Sequence, residues 1–339
     1  MTKKKITIAG RIIGAGEPVF VIAEAGVNHN GKLATALKLI DAAARAGADA
    51  VKFQTFKAED VVIGKKQSQL RMLRALELKD EYYEKIINRC KKRGIIFLST
   101  PHGGFSSVDF LQKLSVRAFK FGSGDITNFP VLKYAAKFKK PMILGTGMST
   151  MQEVKEDIQC IKRAGNKKII VLHCTTNYPC PPEEVNLAVM QTMMGELDVL
   201  VGYSDHTLGT QTSVMAATLG ACVIEKHFTL DKAMNGPDHK ASIEPDELKT
   251  MVQAIRKART ILGSPHKTPT RSEIAILKNT RKSLVALIAI KKGETFTDKN
   301  IGIKRPGSGI EPRRYFYLLG KKAKQNIIAD NLITERDYA

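Results

Sequence analysis

The sequence predicts an α/β fold, a (β/α)₈ barrel followed by a small, mostly β domain, and three observations carry that expectation. Eight short apolar runs rich in β-branched residues recur along the chain up to Leu230. Segments of helical periodicity separate them. From Arg281 onward the pattern changes to short strands and turns.

The runs begin at Val19 (VFVIAEAG), Ala50 (AVKFQTF), Ile95 (IIFLSTP), Ala118 (AFKFGSG), Pro141 (PMILGTG), Ile169 (IIVLHCT), Asp198 (DVLVGYSDH) and Cys222 (CVIEKHFTL). Between them Leu33, Leu37, Ile40 and Ala44 fall on one helical face, as do Tyr83, Ile86, Ile87 and Cys90. After the eighth run Leu248, Met251, Val252, Ile255 and Leu262 do the same. Gly47, Gly94, Gly165 and Gly220 stand near expected helix ends, where a left-handed residue closes the last turn. Eight strand–helix units over residues 17–262 suit a barrel. A doubly wound open sheet is the rival, but eight units are long for it, and the first βα turn (AEAGVNHNGK) is no dinucleotide-binding GxGxxG. The second unit carries extra sequence from Lys57 to Lys79, expected to cover the barrel mouth. The expected domains are a barrel over 1–263, a linker over 264–280 that includes a short helix, and a β domain over 281–339.

Hydrophobic residues make up 43% and charged residues 26% with no low-complexity tract, the composition of a soluble globular protein. The opening MTKKKITIAGR is basic but lacks the apolar core and cleavage site of a signal peptide. The longest uncharged apolar run, Leu284 to Ile290, is strand-sized and far short of the roughly 20 residues of a membrane span. A cytoplasmic protein is expected. Its five cysteines are scattered without a CxxC pair and read as free thiols, which argues against a cysteine metal cluster. The net charge of +21 invites a nucleic-acid partner. The lysines, however, come as dispersed pairs such as Lys65–Lys66 and Lys291–Lys292, with no Trp and no basic stripe interleaved with aromatics. Solvated surface is the reading, with no nucleic acid and no membrane as partner.

The informative residues are polar ones at the C-terminal ends of the runs, which in a barrel converge on one mouth where active sites sit. The first run ends in Glu24; the second carries Lys52 and Gln54; the third ends in Ser99-Thr100. The fourth holds Lys120 and Ser123, the fifth ends in Thr146, and the sixth in His173-Cys174-Thr175. The seventh ends Ser204-Asp205-His206 and the eighth carries Glu225-Lys226-His227. By strand alternation Lys52 and Gln54 share the interior face while Val51 and Phe53 face the helices. A lysine there is costly unless paired, with Glu24 or Glu225 or with an anionic ligand. Singly, each residue has a bland explanation as a cap, a core histidine or an internal ion pair. Jointly they point to a site, because nearly every strand contributes at the same end. His206 and His227 end adjacent strands, so their imidazoles could share an ion, leaving positions open for water and substrate. Lys52, Lys120, Thr100, Ser123 and Ser204 offer cations and hydroxyls suited to a phosphate and a carboxylate.

At these residues the chain resembles the sialic acid synthase family, the synthases of N-acetylneuraminate and related nonulosonates. The matching stretches are IAEAGVNHNG, AVKFQTF, STP, FKFGSGD, GTGMST, HCTTNYP, GYSDHT, EKHFTL and GPDHKASIEPDEL, then KRPGSGI in the tail. The resemblance runs from about Phe20 to Lys322. It identifies the tail as an antifreeze-like (SAF) domain. It implies that phosphoenolpyruvate condenses with the open-chain aldehyde of an N-acylated mannosamine, releasing phosphate. His206 and His227 would hold Mn²⁺ or Mg²⁺; Lys52, Thr100, Lys120, Ser123 and Ser204 would contact phosphoenolpyruvate. Glu24 matches the carboxylate that orients or deprotonates water, and Gln54, Asp125, Tyr178 and Asp238 match sugar-contacting positions. The family also implies a domain-exchanged homodimer in which Arg305 of KRPG reaches the N-acyl group.

The chain departs from the family pattern in places. Thr176 of HCTT replaces a ligand-contacting asparagine, and His102 of STPH replaces an aromatic. GPDHKASIEPDEL is closer to the legionaminate-type and animal enzymes, so a 2,4-diacetamido sugar is expected to serve at least as well as N-acetylmannosamine. Rival readings are a 3-deoxy-sugar-acid synthase using a phosphorylated aldose, which would want a second phosphate site, and a non-catalytic sugar-binding protein built around the tail.

Overall fold

The computed structural model describes residues 4–338; the first three residues of the basic opening segment and the last residue of the β domain lie outside the described residues. Two strands open it, β1 (Lys5–Ile8) and β2 (Arg11–Gly14), paired antiparallel. Eight parallel strands follow: β3 (Phe20–Gly26), β4 (Ala50–Thr55), β5 (Ile96–Pro101), β6 (Phe119–Phe121), β7 (Met142–Gly145), β8 (Ile169–His173), β9 (Leu200–Asp205) and β10 (Val223–His227). They bond in the order β5-β4-β3-β10-β9-β8-β7-β6. The last strand therefore returns to the first, and β5 and β6 lie side by side at the remaining seam. This is the expected eight-stranded barrel. Among the described residues eight helices packed around the sheet, from Leu33–Ala46 to Pro245–Leu262, alternate with the strands, apart from two further helices in the segment after β4. Gly47 and Gly94 close the first and second of these at φ 84° and 68°, which a side chain would strain.

Strand alternation divides the core in two. Outward residues such as Val21, Val51, Phe53, Phe119, Tyr203 and Ile224 pack against the helices. Inward residues such as Phe20, Ile22, Leu98, Ile143, Ile170 and Val223 fill the barrel and meet Ile6, Ile8 and Ile13 of the β1–β2 hairpin. The sequence reading gave that opening segment no structure; it buries three isoleucines against the interior layer. Along each strand the inward positions change from apolar to polar: Phe20, Ile22, Glu24 on β3 and Ala50, Lys52, Gln54 on β4. The dry end is sealed by apolar packing, and the polar end is free for chemistry.

Two helical faces differ from expectation. In Leu33–Ala46 the buried stripe is Ala36, Leu39, Ile40 and Ala43, with Leu33 and Leu37 at its margin. Leu262 is exposed at the end of its helix, one turn past Ala258, the last buried residue, although Leu248, Met251, Val252 and Ile255 are buried as read. The extra sequence after β4 forms two short helices, Ala58–Val61 and Gln67–Leu76. Leu76 packs there with Val27 and Phe56, beside the first βα turn.

Residues 264–339 make a second compact unit. It begins with the helix Arg271–Thr280, whose capping box pairs Thr270 with Glu273. Strands β11 (Ser283–Ala286) and β12 (Ile301–Lys304) then pair antiparallel over a core that includes Leu284, Ile290, Phe296, Ile301 and Ile333. Among the described residues no helix is long and apolar enough to cross a membrane, and all five cysteines are free.

Asp49, just before β4, ties the closed end together. Its carboxylate accepts from Val21 N at 2.8 Å and from Arg256 Nη2 of the last barrel helix at 2.6 Å, and also pairs with Arg11 of β2. Two consecutive strands and the last barrel helix thus share one nearly buried carboxylate. Asp49→Ala should cost roughly 2–3 kcal/mol, since it leaves a buried amide and two arginines without their acceptor. Chemical denaturation of the variant should show that loss, with activity at low temperature retained.

Candidate active site

Register assembles the polar set. In the parallel ladders Glu24 of β3 stands beside Lys52 of β4 on one side and His227 of β10 on the other. Gln54 pairs with Thr100 of β5, and Ser204 of β9 with Glu225 of β10. Four charged groups result inside the barrel, all buried: Glu24, Lys52, Lys120 and Glu225.

Glu225 is their hub. Its Oε1 lies 3.1 Å from Lys120 Nζ and 3.3 Å from Lys52 Nζ, and accepts from Ser204 Oγ at 3.2 Å. Lys52 also reaches Glu24 Oε2 at 3.1 Å and donates to Thr100 Oγ1 at 3.1 Å. Burial would push Glu225 up, but Lys120 and Lys52 outweigh it and hold the carboxyl down, ionised at neutral pH. Glu24 has the weaker share of the lysines. Burial raises it to about 7, against the opposing pull of Lys52. With Glu24 protonated, two ammonium groups face one carboxylate, so the cluster carries an excess positive charge suited to an anion. The sequence offered Glu225 as an ion-pair partner of Lys52 but not as a catalytic or binding residue; its place two residues before His227 on the same strand was the available signal.

Ser123 follows β6 in a short turn, accepts from Gly147 N at 2.9 Å and lies 3.2 Å from Cys174 Sγ. A side chain at Gly147 would run into the Thr176 and Ser123 hydroxyls. Thr176 Oγ1 is buried there with no hydrogen-bond partner, close to Gly147 on the Ser123 side. His102 packs its ring toward Gly122, and burial lowers it to about 4, with Lys52 and Lys120 adding to the effect. His173 is turned away from the mouth: its Nε2 lies 2.9 Å from Val185 O.

The two histidines come together, with ring centroids 5.7 Å apart. His206 Nδ1 lies 2.6 Å from Thr175 O, which assigns the proton to Nδ1 and leaves Nε2 as an acceptor. Nε2 is met by Tyr178 Oη at 3.1 Å, with the Tyr178 ring packed on the imidazole. Burial lowers His206 to about 4 and holds His227 well below the usual imidazole range, so both imidazoles are neutral at pH 7, the state that ligates metal. His227 Nδ1 is buried without a hydrogen bond, 3.5 Å from Asp238 Oδ2. The residues fit a divalent ion. Among the described residues no three His, Cys, Asp or Glu gather around such a point, so the protein would supply two imidazoles and leave the other positions open.

Gln54 Nε2 is 3.4 Å from Glu24 Oε1, and both flank Gly26 together with Asp238. Gly26 has φ 52°, and a Cβ there would press on all three side chains. Burial raises Asp238 to about 6. Asp125 lies in the turn after β6, bonded to Asn128 at 3.4 Å and raised by burial. Glu24, Gln54, Tyr178, Asp238 and the two histidines thus surround one space, while Asp125 borders the Ser123 side. Arg305 lies in the second unit, exposed, just after β12.

The raised Glu24 predicts a pH signature. The unfolded chain releases this proton near 4.5 and the folded chain near 7, so stability present below 4.5 is lost as pH rises through that window. In metal-free protein, melting measured from pH 4.5 to 7.5 should show a falling component in the wild type that Glu24→Gln removes.

The comparisons agree with this geometry. The NeuB family profile matches residues 39–267 and the SAF domain profile residues 281–339. The chain is 48% identical to the N,N'-diacetyllegionaminic acid synthase of Campylobacter jejuni over 330 residues, covering 93% of this chain and 98% of that one. It is 43% identical to the enzyme of the same name from Legionella pneumophila, covering 93% of each. The solved N-acetylneuraminic acid synthetase of Leptospira borgpetersenii superposes with a TM-score of 0.77 at 34% identity, covering 80% of this chain and 95% of that one. The chain therefore belongs to the NeuB family, as an enzyme of the transferase class that forms C–C bonds, and it carries a SAF domain after its barrel.

Proposed function

We propose that the chain condenses phosphoenolpyruvate with the open-chain aldehyde of an N-acylated mannosamine-type sugar, giving a sialic-acid-family nonulosonate and phosphate. The carrying observation is the pair of buried lysines, Lys52 and Lys120, on the single Glu225 carboxylate beside the His206–His227 pair. Two cations with hydroxyls around them suit a molecule bearing both phosphate and carboxylate. Thr100, Ser123 and Ser204 supply the hydroxyls.

At the two histidines a divalent cation, Mn²⁺ or Mg²⁺, supplies Lewis acidity toward an aldehyde oxygen. Lys52 and Lys120 hold phosphoenolpyruvate with its C3 toward the aldehyde carbon. As that C–C bond forms, positive charge develops at C2, and water adds there. Glu24 is placed to steer that water and take its proton, since burial has raised its basicity toward neutral pH. The C2–O bond to phosphate then breaks, and phosphate leaves with the bridging oxygen. Gln54, Asp125, Tyr178 and Asp238 bind the sugar, and the family resemblance adds Arg305 and a domain-exchanged homodimer. Free thiols throughout the described residues suit a cytoplasmic setting.

The preferred sugar, on this reading, is a 2,4-diacetamido sugar. Thr176 beside Ser123 and the GPDHKAS segment support it, as do relatives at 48% and 43% identity named as diacetyllegionaminic acid synthases. Phosphate release with phosphoenolpyruvate should give 2,4-diacetamido-trideoxyhexoses a kcat/KM at least equal to that of N-acetylmannosamine. A strong preference for N-acetylmannosamine would return the chain to the ordinary neuraminate class.

The histidines give a second expectation. His206→Ala and His227→Ala should each abolish turnover without unfolding the barrel, because losing Lewis-acid stabilisation costs several kcal/mol of barrier. Chelated wild type should fall silent and recover with Mn²⁺; full turnover in chelator would remove the metal from the mechanism.

A further inference from the structure

Behind the two histidines, on the outward face of the same strand ends, lies a fully buried ion pair. Asp205 precedes His206 on β9 and Lys226 precedes His227 on β10, and the two stand in register. Lys226 Nζ is 3.0 Å from Asp205 Oδ2, and neither side chain has any solvent exposure. The outward neighbours along these strands, Tyr203 and Ile224, are apolar and pack under the helices. A charged pair in that layer is costly to desolvate and would not be needed for packing alone.

Its hydrogen bonds converge on Thr207, the residue after His206. Asp205 Oδ1 accepts from Thr207 N at 2.9 Å and from Thr207 Oγ1 at 2.8 Å. Asp205 Oδ2 accepts from Ser213 Oγ at 2.6 Å, which ties in the helix Gln211–Thr218. Lys226 Nζ donates to Thr207 O. The residue after His206 is therefore held at both its amide and its carbonyl, the amide by the residue before His206 and the carbonyl by the residue before His227. From the other side Cys180 N donates to His206 O at 2.8 Å.

We infer that the buried Asp205–Lys226 pair is a positioning device that locks the β9 end to the β10 end and fixes the spacing of the His206 and His227 imidazoles. The inference rests on the reading of those histidines as the ligands of a divalent ion. Asp205 and Lys226 touch neither substrate nor ion; they act through the backbone that carries the ligands. Two imidazoles supply all the protein ligation at such a centre, so an error in their separation has no third ligand to absorb it. Groups that orient metal ligands this way typically change affinity by about 10–100-fold when removed.

The test separates positioning from stability. Mn²⁺ binding to metal-free full-length protein is measured by calorimetry and by loss of the free-ion EPR signal, alongside melting in chelator. Wild type should bind one ion per chain and His206→Ala none. Lys226→Met should weaken Mn²⁺ binding by about 10-fold or more, and should also melt earlier, because Asp205 is left buried without its cation. In Asp205→Asn/Lys226→Met no buried charge is stranded, so the melting temperature should recover while Mn²⁺ affinity stays low. The conservative Lys226→Arg should recover part of the affinity. Unchanged affinity in Lys226→Met, or affinity that returns together with stability in the double variant, would overturn the positioning role while leaving the two-histidine centre in place. Failure of wild type to bind Mn²⁺, or binding that survives in His206→Ala, would overturn the reading of the centre and this inference with it.

Discussion

The chemistry of this barrel depends on one carboxylate. Glu225 pairs with Lys120 and Lys52 and accepts from Ser204, all of them buried. Neither lysine could stay ionised there alone, because the desolvation of an unpaired ammonium outweighs anything the packing returns. Pairing with Glu225 opposes that cost for both, although burial still draws Lys52 below its usual range while Lys120 is held up. Glu24 cancels the remainder only in part near neutral pH, because burial raises its carboxyl to about 7. The site is therefore held ready for an anion by an internal anion too small in charge to satisfy it.

The histidine pair obeys the opposite electrostatic demand. Beside two ammonium groups an imidazolium would be repelled, and burial already disfavours it. Both rings are neutral, with the His206 proton placed by the Thr175 carbonyl. A pair of neutral imidazoles thus sits next to a cluster of buried charges. Strand alternation makes this possible, since inward positions two residues apart and adjacent strands can carry different chemistry.

Much of this was legible in the sequence because parallel strands read as apolar runs and their period of two names the inward face. Lys52 against Val51 and Phe53 is the clear case. The β1–β2 hairpin was not legible: ITIAGRII is short, and only the barrel floor beneath gives its isoleucines something to bury against. The helix Leu33–Ala46 shows the limit of counting by threes and fours, since alanines at 36 and 43 let it approach the sheet closely and turn the larger leucines aside. In the site, residue types were readable but partners were not. Glu225 could have served either Lys52 or a neighbouring loop until register placed it under both lysines. Thr175 acts through its carbonyl, and no side-chain pattern announces that.

Division of labour between the two faces of a strand also explains how one scaffold can vary its substrate. Half-buried Gln54, at the mouth end of β4, makes one long hydrogen bond, 3.4 Å to Glu24, so its replacement disturbs few contacts. Outward positions on β9 and β10 are enclosed: Tyr203, Asp205, Ile224 and Lys226 are all buried beneath helices. The sugar end is further relieved by Gly26, where a missing side chain leaves room for Glu24, Gln54 and Asp238 to converge. Thr176, unbonded beside Gly147, is similarly free to differ from its family counterpart without a structural penalty. Substrate-facing residues can therefore change with little effect on the strand ends, whereas the buried groups behind them cannot change singly without stranding a charge or a hydrogen bond. The inward face carries the polar groups of the mouth, and the outward face holds the strand ends in register beneath them.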